Sequence, residues 1–156
     1  MNRRHFLDNR VPPLLVAVVV ALCMRGALFV APQFRVELPG RAFVAIALAI
    51  LGAGVVSFGV ITFRRHRTTV NPFQPDGAST LVESGIYGRT RNPMYTGVTV
   101  MLLGYAAFLA HPLSLLAVFL FPAYIQAFQI PPEERALDRL FGEAYARYKE
   151  RVPRWL

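Results

Sequence analysis

Two short stretches hold most of the residues able to bind a ligand or react. The first runs from Gly85 to Gly97 and contains Tyr87, Arg91, Asn92, Pro93 and Tyr95. Asn92 precedes a proline, so its backbone is biased toward extended conformations, and Asn is a good helix N-cap. Pro93 suits the first helical turn. The helix start that results offers free backbone N–H groups and a positive dipole end, suited to a carboxylate or another polar ligand. The plainer alternative is a capped junction between a loop and a helix. The second stretch is Glu133-Glu134, directly after Pro131-Pro132. Acids in a first turn favour the helix dipole. Glu133, however, shares a helical face with Leu137, Leu140 and Ala144, and Glu134 borders that face through Leu137 and Phe141. A carboxylate on a buried face needs a partner, and either Arg91 or a cationic ligand would serve.

Other chemistries find little support. His5, His66 and His111 are scattered without metal-ligand spacing, and Cys23 is the single cysteine, which reads as packing inside an apolar run. Neither a phosphate-binding glycine loop nor a G-x-S-x-G nucleophile motif occurs.

The elements that must position the two stretches are apolar. The chain has 156 residues, of which 54% are hydrophobic and 17% charged, with a mean hydropathy of +0.40. That balance points to a membrane protein. The net charge of +8 is carried by basic residues between apolar runs. It reads as loops facing the cytoplasm and anionic lipid; no nucleic-acid recognition motif accompanies it.

Four apolar runs predict four spans, at about 11–31, 42–63, 94–110 and 113–130. A signal peptide is the alternative for the first, but no clear cleavage site follows it. Arg25 within it is either a functional group or a side chain that snorkels to the interface, the second reading being favoured. In the second run Ala45, Ala49, Ala53 and Ser57 recur every four residues, with Gly52, Gly54 and Gly59 nearby, a stripe for close helix packing. Residues 64–93 form a long loop in which Pro72, Pro75 and Gly77 exclude a continuous helix. His111-Pro112 joins the third and fourth runs as a hairpin. Pro131-Pro132 ends the fourth, and an amphipathic helix too polar to span follows at 133–151.

The expected fold is thus all-α, a single domain over 1–156: a polytopic membrane protein with four transmembrane helices and a C-terminal cytoplasmic amphipathic helix. The basic residues set its orientation. Arg3, Arg4 and Arg10, then Arg64, Arg65, Arg67, Arg89 and Arg91, then Arg135, Arg139, Arg147, Lys149, Arg151 and Arg154 fall on one side of a four-span chain. That side, with both termini, is expected to be cytoplasmic. The two candidate stretches then share a side and lie close together.

These residues resemble a known family. Gly85-Ile86-Tyr87, Arg91-Asn92-Pro93-Met94-Tyr95-x-Gly97, Glu133-Glu134-x-x-Leu137, Phe141-Gly142-x-x-Tyr145-x-x-Tyr148 and Val152-Pro153-Arg154 occur in the order seen in integral-membrane methyltransferases. These are the isoprenylcysteine carboxyl methyltransferases and the phospholipid N-methyltransferases. The resemblance covers about Leu81 to the end; the amino-terminal half matches short bacterial members only in hairpin layout, which implies a bacterial inner-membrane location. It implies S-adenosylmethionine as methyl donor, with Tyr87, Arg91, Asn92, Pro93, Tyr95 and Gly97 on one wall of its site. Glu133 and Glu134 form the other wall, and Gln126 lines the floor.

Two departures narrow what carries over. Many members have His where Asn92 stands, and Asn cannot act as a base. The eukaryotic carboxyl methyltransferases have arginines before the Glu pair, where this chain has Phe128-Gln129-Ile130-Pro131-Pro132, so a prenylcysteine acceptor is in doubt. The implied reaction is methyl transfer to a membrane lipid or lipid-like acceptor. A carboxylate acceptor needs only desolvation and orientation, by Arg91 or Arg154, whereas an amine would need Glu133 or Glu134 as base. A phospholipid amine or a small thiol is the alternative acceptor. A reading from another class is a small helical-bundle transporter or assembly factor, resting on Arg25 and the small-residue stripe.

Overall fold

A computed structural model describes residues 10–66 and 80–156. Arg3, Arg4, His5, Arg67, Pro72, Pro75 and Gly77 lie outside the described residues. All regular structure among the described residues is helical: α1 Pro13–Val30, α2 Arg41–Arg65, α3 Pro93–Leu109, α4 Pro112–Ala117, α5 Leu120–Tyr124, α6 Ile130–Phe141 and α7 Glu143–Arg151. Short 3₁₀ turns occupy Pro32–Phe34 and Gly85–Gly88, and a π-helical turn, Ile125–Gln129, joins α5 to α6. Three helical stretches are long and apolar enough to cross a membrane: Pro13–Val30, Arg41–Arg65 and Pro112–Phe141. The apolar α3 is shorter, with 17 residues, or about 26 Å at the helical rise.

The apolar side chains are largely on the outside. Phe43, Ile46, Ile50, Leu51 and Phe58 of α2 are all exposed, as are Leu14, Leu22, Phe29 and Val30 of α1. In lipid such a surface is solvated, and helix association depends on close packing instead. Accordingly α2 and α3 meet at glycines. A Cβ built on Gly52 would stand 2.5 Å from the Gly97 carbonyl oxygen, one on Gly97 2.6 Å from the Gly52 oxygen, and one on Gly104 2.9 Å from the Ala45 oxygen. The contact stripe therefore runs through Ala45, Leu48, Gly52, Val56 and Gly59. It departs from the expected Ala45–Ser57 row, of which Ala53 and Ser57 are exposed. The cause is that glycine lets two backbones touch, while a methyl group already holds them apart.

On its other side α3 packs with α1, α4 and α5 around Val16, Val20, Met24, Leu102, Ala106, Val118, Phe121 and Ile125. Buried polar groups join the turns. His111 Nε2 bonds the Ala31 carbonyl at 2.9 Å, and the Ser114 hydroxyl donates to the Met24 carbonyl at 2.7 Å. Arg25 lies on the exposed face of α1. So does Cys23, whose expected packing role the structure does not support.

Two expected boundaries move. Pro131-Pro132 does not end the fourth apolar helix, which continues through α6. A proline lacks the N–H that would bond four residues back, and its ring crowds that carbonyl. The helix widens before the prolines instead, and Ile130 N–H donates to the Ile125 oxygen five residues back. The expected 133–151 helix is two helices, α6 and α7, broken at Gly142 with φ 49°. The break swings Tyr145 and Tyr148 inward, where they are buried with Val152, Leu81, Leu137 and Phe141. Leu140, expected on the buried face, is exposed.

Candidate active site

The start of α3, the first half of α6 and the last residues of the chain converge on the two glutamates. Glu134 stands between two arginines. Arg91 Nη1 donates to its Oε1 at 2.8 Å, Arg154 Nε donates to the same oxygen at 2.9 Å, and Arg154 Nη2 donates to Oε2 at 2.5 Å. The Arg154 contact is the forked, two-bond kind in which both partners fix each other's orientation. Arg91 Nη1 also reaches the Tyr145 hydroxyl at 3.4 Å. Glu134 further raises the affinity of the Arg154 guanidinium for its proton through these bonds.

Glu133 is treated differently. The Tyr95 hydroxyl and the Gln129 amide both donate to its Oε1, at 2.6 and 2.7 Å. No side chain among the described residues donates to its Oε2, and no cation pairs with it. Two further polar atoms are buried without partners nearby, the Tyr87 hydroxyl and Arg91 Nε. Burial, then the neighbouring Tyr148 and Glu133, holds the Tyr87 phenol above its ordinary range, so it stays a neutral hydroxyl. Tyr145 and Tyr148 are raised likewise, burial being the main cause in both.

The carboxy-terminal residues close the arrangement. Arg91 N–H donates to the Pro153 carbonyl at 2.9 Å. The Arg154 carbonyl accepts from the Thr90 hydroxyl at 2.8 Å and from Asn92 Nδ2 at 3.1 Å. The Trp155 indole donates to Gln126 Oε1 at 2.9 Å. The Tyr148 hydroxyl donates to the Tyr87 carbonyl at 2.7 Å.

The structure thus brings together Tyr87, Arg91, Asn92, Tyr95, Glu133, Glu134 and Arg154. The structure gives three of the expected residues contacts within the protein. Asn92 occupies the N-cap position of α3, but its side chain makes no capping bond and instead holds the chain's tail. Gly97 lies at the α2–α3 contact, where a side chain would strike the Gly52 carbonyl. Gln126 meets the tail through Trp155. Pro93 is buried at the first position of α3. Sequence reasoning passed over Thr90, Gln129 and Trp155. Gln129 had a legible signal, a polar residue four before Glu133 on one helical face. Thr90 and Trp155 had none, because their partners are remote in sequence.

A match to a known family covers α3 and α6 and stops before the tail. The family described as phospholipid methyltransferase matches residues 41–144. The chain belongs to the phospholipid methyltransferase family. It is 31% identical over 108 residues to protein-S-isoprenylcysteine O-methyltransferase B of Arabidopsis thaliana, covering 69% of this chain and 55% of the relative. To protein-S-isoprenylcysteine O-methyltransferase of Xenopus laevis it is 30% identical over 113 residues, 68% of this chain and 39% of the relative. An uncharacterized protein of Haemophilus influenzae is 41% identical over 63 residues, 40% of this chain and all of the relative. The matched region thus spans about half the length of the plant relative, and less of the frog one.

Proposed function

We propose that this family member is a membrane methyltransferase that uses S-adenosylmethionine to methylate the carboxylate of an apolar or lipid-like acceptor. The observation that carries the reading is Glu133, a carboxylate that among the described residues meets neutral donors only and is set beside an arginine-compensated glutamate. Among the described residues no cation pairs with Glu133, and buried donors stand at Tyr87 and Arg91. That donor set fits a ligand with positive charge at one end and carboxylate or hydroxyl oxygens at the other. When bound, S-adenosylmethionine supplies an electrophilic methyl group on a sulfonium.

This chain's residues bind and orient. Glu133 offers a negative charge to the positive end of the ligand. Tyr95 and Gln129 fix the Glu133 carboxylate by hydrogen bonds to one oxygen. Glu134 immobilises Arg91 and Arg154, whose guanidiniums are then directional donors for an anionic acceptor. Such an acceptor is already ionised at neutral pH, so removing its water and aligning it are the work the protein must do. The apolar outer faces of the helices suit an acceptor that arrives through the lipid.

The same proposal includes four spans, with α3 as a short third one, and places 84–92 and 133–156 in the cytoplasm. The relatives are named O-methyltransferases, which supports an oxygen acceptor such as a carboxylate. Purified protein in detergent is expected to bind S-adenosylmethionine and to lose most of that binding in Glu133→Gln. Labelled methyl transfer to a prenylated cysteine, a phosphatidylethanolamine and a small thiol then identifies the acceptor. Absence of donor binding by the folded wild-type protein would end the proposal.

A further inference from the structure

The π-helical turn Ile125–Gln129 lies directly before the glutamates and has a cause in the sequence. Pro131 and Pro132 cannot bond to the carbonyls four residues back, and the helix widens ahead of them rather than breaking. One consequence is the position of Gln129. Its side chain is almost wholly buried, at 1% exposure. A buried amide must find partners, and Gln129 Nε2 spends a hydrogen on Glu133 Oε1 at 2.7 Å. Tyr95, from the facing helix α3, takes the same oxygen at 2.6 Å. Two donors from two helices on one oxygen fix the carboxylate in rotation as well as place. They leave Oε2 free of side-chain donors among the described residues.

We propose that Gln129 is a positioning residue that, with Tyr95, pins one oxygen of Glu133 and so keeps the other available to a positively charged ligand. The Gln129 bond thereby sets how strongly the site prefers the sulfonium donor over its neutral, demethylated thioether. This rests on the reading of Glu133 as the residue that meets the donor's positive charge. The two ligands differ by a methyl group and one charge, so a carboxylate held at the charge separates them and a misplaced one does not. Loss of shape alone weakens both ligands together. Loss of carboxylate placement weakens the charged one more.

The test measures the dissociation constants of S-adenosylmethionine and S-adenosylhomocysteine for the full-length protein in detergent, in parallel. The variants are Gln129→Met, which keeps length and removes the donor, and Gln129→Asn, which keeps the amide but shortens its reach. The two perturb folding differently, and thermal melting in detergent shows which is intact. The preference for the sulfonium is expected to fall at least threefold in each folded variant, with the S-adenosylhomocysteine affinity changing less than twofold. An unchanged preference in folded Gln129→Met and Gln129→Asn overturns the inference, as does an equal weakening of both ligands. Glu133→Gln separates this failure from failure of the underlying reading. If Glu133→Gln removes the preference while the Gln129 variants retain it, only the role of Gln129 falls. If Glu133→Gln leaves the preference intact, the assignment of Glu133 falls, and this inference with it.

Discussion

Glu134 and Glu133 are adjacent in sequence and opposite in situation. Glu134 is surrounded by positive charge; its partner Arg91 is 12% exposed and Glu134 itself 15%. Removing the carboxylate leaves the little-exposed Arg91 guanidinium facing that of Arg154 without a counter-charge. Glu134→Ala is therefore expected to lower unfolding free energy by about 3 kcal/mol, read from denaturant or thermal melts in one detergent. Arg154, at 34% exposed, keeps access to water, so Arg154→Ala should cost only about 1 kcal/mol. A reversed order would mean that the tail, rather than the Arg91 pair, anchors Glu134. At Glu133 the expected effect is on binding. Tyr95→Phe deletes the bond to Oε1 and should weaken S-adenosylmethionine binding roughly threefold to tenfold, with the melting temperature shifting little. Sequence reading located these residues because carboxylates on an apolar helical face demand partners. It could not say which glutamate takes which partner, since that depends on a one-residue difference in helical phase.

Helix α2 shows what periodicity can and cannot reveal about an element in lipid. Its apolar residues surround it, so no hydrophobic face marks the contact. Only small residues do, and this helix has two sets of them. The alanine row is regular, yet the backbones meet at Gly52, and Gly59 makes room for the Met94 side chain. Gly54, two residues from Gly52, has nothing within 4 Å of a built Cβ. The two glycines therefore make a matched pair. Gly52→Ala is expected to destabilise the protein by about 1–3 kcal/mol, because the methyl group meets the Gly97 carbonyl. Gly54→Ala should stabilise it by about 0.5–1 kcal/mol through helix propensity. Melts of the two variants side by side check both signs. The double proline was misleading for a related reason. Pro131-Pro132 reads as a helix stop, but a wider turn just before it absorbs both missing donors, and nothing in the local sequence marks that turn.

At the scale of the molecule, the chain's end closes a circuit that the charge pattern only outlined. The tail touches Thr90, Arg91, Asn92, Gln126 and Glu134. These contacts hold the tail against the start of α3, and the proposed topology puts both in one aqueous compartment. The loop holding Arg35 and Arg41 caps the other ends of α1 and α2, beside the turn at Ala110, whose carbonyl accepts from Val36 N–H at 3.0 Å. Cys23 is the single cysteine, so Cys23→Ser gives a background in which one introduced thiol reports one position. Ser84→Cys and Glu150→Cys are both exposed sites and should react with a membrane-impermeant maleimide only after the cytoplasmic face is opened. Leu38→Cys, also exposed, should react in intact cells. The short α3 bears on this directly. If it crosses the bilayer, its ends at Pro93 and Leu109 lie on opposite sides, and Ser84 and Leu38 label oppositely. If Ser84→Cys and Leu38→Cys label from the same side, neither α2 between them nor α3 beside it crosses the bilayer, and the four-span reading fails. If instead Ser84→Cys and Glu150→Cys label from opposite sides, the contacts between the tail and α3 cannot form in the membrane, and the shared site fails with them.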